Sequence, residues 1–185
     1  RSATIQTVAD VALSGDDADL RPALGRIREV NARNAATVSS LLQLANVQVR
    51  DRAAVDLAAV CCEVGAAHGM HVDATPLTVE ASPTLIRQAV DNLARNAAIH
   101  GTGGSIMLRR AGACAEITVE SGGDQLDPAE VATWTEPFAR ARRTSGSGHG
   151  LGLALVKAIA KAHGGSLELA PRAGGGLVVK LLLPA

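Results

Sequence analysis

At 185 residues with 47% hydrophobic content, the chain is long enough for one ordinary domain plus a smaller appendage, and wholesale disorder is excluded. Its 18 basic and 18 acidic side chains cancel, so no global field draws it to nucleic acid or anionic lipid, and no apolar run reaches the length of a membrane span. Trp134 and Phe138 are its only aromatic residues, so the core is expected to be aliphatic, with no Tyr and no Trp available to stack on a nucleotide base.

The first fifty residues read as two helices. Ile5, Val8, Ala9, Ala12 and Leu13 recur at helical spacing, and Ser14 to Asp17 supply a turn. A longer helix is expected from about Leu20 to Asn46, its apolar stripe carried by Leu24, Ile27, Val30, Val38, Leu41 and Leu42. Such an antiparallel hairpin cannot bury both stripes alone; dimerisation is the natural remedy, and packing on the rest of the chain is the alternative. Arg50 to Arg52 form a polar hinge. Beyond it Asp56 is placed to cap a helix through Ala67, and short strands are expected at His71 to Thr75 and Leu77 to Glu80. Cys61 and Cys62 in that helix are adjacent, and Cys114 stands alone; without a CxxC pair these predict reduced thiols in a cytosolic setting. Ser82-Pro83 reads as a cap and first-turn proline opening a helix to about His100. Ser105 to Arg110 and Glu116 to Glu120 predict a strand pair. A Gly, Ser and Arg-rich stretch then leads into a helix from about Gly150 to His163, and a hairpin of Ser166 to Leu169 with Leu177 to Leu183 closes the chain. Helices gathered on a mostly antiparallel sheet make an α+β sandwich.

Two features on this frame carry chemistry. Gln88, Asn92, Asn96 and His100 recur every four residues on one helix face, beside the apolar stripe of Ile86, Ala89, Val90, Leu93 and Ala97. Asparagine is a poor helix-interior residue, so the pair serves either a structural amide network or the ligation of a hard cation that arrives with a nucleotide. The second feature is Gly146-Ser147-Gly148-His149-Gly150-Leu151-Gly152-Leu153, running straight into a helix. Glycines let backbone amides approach an anion, and a helix N-terminus adds its dipole; a flexible connection is the competing explanation. The spacing is neither a dinucleotide fingerprint nor a P-loop. Arg140, Arg142 and Arg143 lie upstream as mobile positive charge or as solvated surface.

In combination these segments are more specific. Asn92-Leu93-x-x-Asn96-Ala97 resembles the N box of the GHKL ATPase superfamily, which unites histidine kinases, gyrase-type ATPases and Hsp90. Glu136-Pro137-Phe138 with Arg140 resembles the F box of histidine kinases, and Gly148-x-Gly150-Leu151-Gly152-Leu153-Ala154 their second glycine box. His163-Gly164-Gly165 and Leu183-Pro184 are similar to the way such domains end, and order and spacing agree from about Asp56 to Ala185. Gly123 to Leu126 with Thr135 to Phe138 look closest to sensor kinases of vancomycin-resistance type. The resemblance implies a two-layer α/β sandwich of the GHKL (Bergerat) type over residues 55–185, preceded by a partial dimerisation hairpin over 1–50. It implies ATP and Mg²⁺ as cofactors, with Asn96 as the metal ligand, Asn92 supporting the phosphates and His100 beside the nucleotide. Gly148, Gly150, Leu151, Gly152 and Leu153 would cradle phosphates under a lid from about Ala139 to His149, with Arg140 neutralising charge from that lid.

The match departs from the family in two places. The first glycine box of these kinases reads Asp-x-Gly-x-Gly, its Asp accepting a hydrogen bond from the adenine amino group. Here Ser121 takes the Asp position, Gly123 keeps the first Gly and Gln125 replaces the second, while Glu120 and Asp124 could substitute only through a register shift. A lost charge-assisted contact costs on the order of 1.5–3 kcal/mol, so Ser121→Asp is expected to tighten ATP binding. The acceptor box resembles His-Glu-x-Arg-Thr/Ser-Pro-Leu, and only its tail is matched, by Arg1-Ser2; His68, His71, His100, His149 and His163 have other contexts. The acceptor is expected before Arg1 or on another polypeptide.

The resemblance thus implies transfer of the ATP γ-phosphoryl to a histidine, then to a response-regulator receiver domain, by a homodimer or with a histidine-bearing partner chain. The location is expected to be cytoplasmic, with membrane attachment only through segments outside this sequence. A degenerate regulatory module, favoured by Ser121, and a serine kinase of anti-sigma type, disfavoured by the hairpin, remain the rival readings.

Overall fold

The computed structural model describes residues 17–136 and 151–185, and the chain divides into two compact units, Arg1–Leu42 and Gln43–Ala185. The helix expected around Ile5 to Leu13 lies outside the described residues, as do Arg140, Gly148, Gly150 and the lid. The division falls before the polar hinge expected at Arg50, because Val47 already packs against the core of the second unit. Helix α1 (Asp17–Ala45), of which all but the last three residues belong to the first unit, spans 29 residues. Leu24, Val38 and Leu42 on it are each more than half exposed.

The second unit opens with β1 (Ala53–Asp56), which its Ala-Ala-Val-Asp sequence does not announce. It exists because it pairs antiparallel with β3 (Thr78–Ala81), forming a two-stranded ribbon of its own. Asp56 then caps α2 (Leu57–His68), its carboxylate accepting from the Ala59 N–H at 3.1 Å. After β2 (His71–Ala74) comes α3 (Pro83–His100). Ser82 occupies the N-cap but makes no side-chain cap; its buried backbone N–H donates instead to Nε2 of His163 at 3.0 Å. The remaining elements are β4 (Gly104–Ala111), β5 (Cys114–Ser121), a short α4 (Pro128–Val131) that was not expected, α5 (Gly152–Ala162), β6 (Ser166–Pro171) and β7 (Leu177–Pro184).

Five strands form one sheet in the order β2-β4-β5-β7-β6, antiparallel except for the parallel pair β2–β4. Strand alternation sends every second side chain inward, and the register aligns those positions into rows across the sheet. One row is Val72–Ile106–Val119–Val179–Leu169, and the next is Ala74–Leu108–Ile117–Leu181–Leu167. Helices α2, α3 and α5 cover this face, with α3 in contact with both of the others. Ile86, Val90 and Leu93 of α3 and Val156 and Ile159 of α5 are at most 1% exposed, so the aliphatic core expected from composition forms between the two layers. The opposite face is polar: Glu116 accepts from Thr118 and Lys180, both at 3.1 Å, and Arg172 reaches Glu120 at 3.2 Å.

Candidate functional site

Helix α3 joins the two halves of the site. Its apolar stripe locks it to the sheet, which turns Asn92, Asn96 and His100 towards the region between α5 and the end of β5. Asn92 is 8% exposed, and its amide is engaged within the helix: Nδ2 donates to the Gln88 carbonyl at 2.8 Å, and Oδ1 accepts from Arg95 at 2.5 Å. A Cβ placed on Gly152 would lie 3.5 Å from Asn92 Oδ1, so the first residue of α5 abuts this amide. No side chain caps α5 at Leu151. A helix N-terminus presents backbone N–H groups that suit an anion, and Gly152 puts no side chain in the way. The side chains of Leu151 and Leu153 are buried at 2% and 4% exposure, so these residues anchor the turn and can meet a ligand only through backbone.

One helical turn beyond Asn92, Asn96 lines a cavity of about 120 Å³ together with His100, Ser121, Gly123 and Asp124. Leu93, Ala97, Val119, Leu126, Leu177 and Val179 provide its apolar walls. Trp134 also lines it, which corrects the expectation that no tryptophan would be available at a base site. Composition counts aromatic residues but does not place them; the short α4 brings this one to the wall. The glycine loop between β6 and β7 was likewise absent from the expected site, and Asp124, which entered the expectation only through a register shift, also lines the cavity. Gly176 (φ +99) packs so tightly that an added Cβ would fall 1.9 Å from the Ser121 carbonyl, and its N–H donates to the Asp124 carbonyl at 2.8 Å. The run Gly174-Gly175-Gly176 was the available signal. On the other side, an added Cβ at Gly101 would meet Cβ of Ser121 at 2.7 Å, so the end of β5 is held between two close glycines.

The carboxylate of Glu120 belongs to the outer face, engaged by Arg172, and cannot serve the cavity. Among the described residues no group of three His, Cys, Asp or Glu side chains could hold a metal ion. A cation here would take the Asn96 amide oxygen and draw its other ligands from a bound phosphate and water, which is how Mg²⁺ prefers to bind. The Asn96 amide oxygen and the side-chain-free Gly152 at the start of α5 thus fit a magnesium nucleotide. No helix among the described residues is long and apolar enough to cross a membrane.

Comparison with known proteins agrees with this geometry. The family described as histidine kinase-, DNA gyrase B-, and HSP90-like ATPase matches residues 81–185. The sensor protein CutS of Streptomyces coelicolor is 33% identical over 201 residues, covering 97% of the chain and 48% of that protein. The sensor histidine kinase TrcS of Mycobacterium tuberculosis is 32% identical over 208 residues, covering 98% of the chain and 40% of its own length. The chain thus spans about half the length, or less, of these relatives. Among solved structures, the ATP-binding domain of PrrB from Mycobacterium tuberculosis superposes with a TM-score of 0.59 at 27% identity, covering 73% of this chain and 98% of that one. The mycobacterial sensor histidine kinase MprB superposes at 0.62 and 26%, covering 72% and 97%.

Proposed function

The chain belongs to the histidine kinase-, DNA gyrase B- and HSP90-like ATPase family, and we propose that it is the ATP-binding catalytic part of a two-component sensor histidine kinase. The observation that carries this reading is the placement of Asn92 against Gly152 at the start of α5, with Asn96 and the cavity one turn further along α3. The base and ribose enter the cavity, and the phosphates run towards the first-turn amides of α5. Asn96 holds Mg²⁺, which when bound neutralises charge on the phosphates. Asn92 orders the junction between the helices, and His100 flanks the nucleoside. Arg140, Gly148 and Gly150 contribute charge and backbone amides from the lid. The machinery holds no nucleophile of its own, as suits phosphoryl transfer, where positioning and charge neutralisation supply most of the catalysis.

The γ-phosphoryl then passes to a histidine presented on a helical hairpin, and from it to an aspartate of a response-regulator receiver domain. The exposed Leu24, Val38 and Leu42 of α1 support a homodimer, or docking of a histidine-bearing partner chain, through that helix. The parent protein works in the cytoplasm and is held at the membrane by segments beyond this sequence.

Calorimetry of the chain with ATP tests the reading directly. Binding should require Mg²⁺, and Asn96→Ala should remove the magnesium-dependent part, weakening affinity by about tenfold or more. Radiolabelled ATP mixed with the chain and a hairpin fragment bearing the acceptor histidine should then label the fragment. A wild-type chain that binds no nucleotide would instead support a degenerate regulatory module, the reading that Ser121 favours.

A further inference from the structure

We propose that Arg95 is a positioning residue of the nucleotide site that acts through Asn92. It holds the Asn92 amide in one orientation where α3 meets α5 and claims its oxygen, leaving Asn96 as the cation-binding asparagine; this rests on the nucleotide-binding reading above. Asn92 and Asn96 are chemically identical and stand one turn apart on α3, so residue type alone does not choose between them. Their surroundings differ. Asn92 is buried, with Nδ2 donating to the Gln88 carbonyl at 2.8 Å and Oδ1 accepting from the Arg95 guanidinium at 2.5 Å. Turned over, that amide would set its oxygen against a carbonyl and its amino group against a guanidinium, two repulsions in place of two hydrogen bonds. The helix carbonyl and Arg95 therefore enforce the same orientation.

The oxygen so fixed is the atom that a Cβ on Gly152 would approach to 3.5 Å, so Arg95 reaches the start of α5 through Asn92. An amide oxygen already bonded to a guanidinium is a poor ligand for a cation, because the two positive charges compete for its lone pairs and repel each other. Asn96 lines the cavity, and among the described residues none hydrogen-bonds its side chain. Arg95 also brings a charge that no acid offsets. Arg87, Arg109 and Arg172 each pair with a carboxylate, whereas among the described residues Arg95 pairs with none. Asp91, the acid four residues before it, is held by His68 of α2 at 2.8 Å. The surplus positive charge thus lies where α3 meets α5, the end of the site assigned to phosphates rather than to the nucleoside.

The test is a double-mutant cycle on the whole chain, read by calorimetry with Mg-ATP. Arg95→Ala is expected to weaken Mg-ATP by about tenfold, and Arg95→Lys, which keeps one charged donor, by about threefold or less. In an Asn92→Ala background, Arg95→Ala should cost no more than about twofold further, because its route to the site is already gone. Adenosine, which has no phosphate, should bind the wild type and Arg95→Ala alike, an outcome that general damage to α3 would not give. Asn92→Ala should keep the requirement for Mg²⁺, since Asn96 retains its oxygen. Unchanged Mg-ATP affinity in Arg95→Ala, full additivity with Asn92→Ala, or equal weakening of adenosine would each overturn the inference and leave the kinase reading standing. A lost Mg²⁺ requirement in Asn92→Ala would overturn it too, by making Asn92 the ligand. A wild-type chain that binds no nucleotide would remove the underlying reading, and this one with it.

Discussion

The thiol of Cys61 lies in the core, and burial, with smaller contributions from Cys62 and Asp56, pushes it up to about 12 from an ordinary 9.0. The unfolded thiol ionises near its ordinary value while the folded one keeps its proton, so unfolding releases a proton between those limits. Stability from this group is complete below about pH 9 and is lost as pH rises towards about 12. Denaturant midpoints should therefore fall between pH 8 and pH 10.5, and Cys61→Ala should flatten that fall. Cys62 is exposed and should react with thiol reagents in the native state while Cys61 does not. A second buried polar group, the ring of His163, is fixed as one tautomer. Its Nε2 accepts from the Ser82 N–H at 3.0 Å, so Nδ1 carries the hydrogen and donates to the Ile159 carbonyl at 2.8 Å. The imidazole thus ties the end of α5 to the start of α3, the two helices that flank the proposed phosphate site.

Among the elements, α1 carries four of the exposed large apolar side chains, Leu24, Val38, Leu41 and Leu42. A 29-residue helix with such a stripe is expected to find a helical partner. Sedimentation of the chain should show concentration-dependent dimers, and Val38→Asp with Leu42→Asp should leave it monomeric without loss of ATP binding. Persistence of the dimer in that variant would place the contact elsewhere. The remaining elements show where sequence signals succeed. Ser82-Pro83 and the apolar spacing behind it locate α3, and the alternation in β4, β5 and β7 puts Ile106, Ile117 and Leu181 inside. Asp127-Pro128 is the same kind of signal and opens α4, its carboxylate accepting from the Ala129 N–H at 2.8 Å; a helix of four residues has too few apolar positions to show a period. β1 escapes for another reason: its stability comes from pairing with β3, a contact that local composition does not encode.

For the whole molecule, the mixed α+β architecture and the face of α3 that lines the cavity were legible because they rest on short-range patterns. Asn92, Asn96 and His100 share a helix face by periodicity alone, while most of the glycine-rich run before α5 lies outside the described residues. The other half depends on topology. β5 and β7 are neighbours in the sheet although α4, α5 and β6 separate them in the chain, and this brings Gly176 against Ser121 and Asp124. No local window of sequence contains that meeting, and Trp134 emerges as a cavity residue only from the fold.

The place of Trp134 gives the chain an optical property. With one tryptophan and no tyrosine, essentially all of its near-ultraviolet emission arises from a single indole on the cavity wall. Titrating a nucleotide should produce a saturable change in fluorescence intensity or wavelength, and Trp134→Phe should abolish the signal. Occupancy of the pocket could then be followed in real time without any attached label.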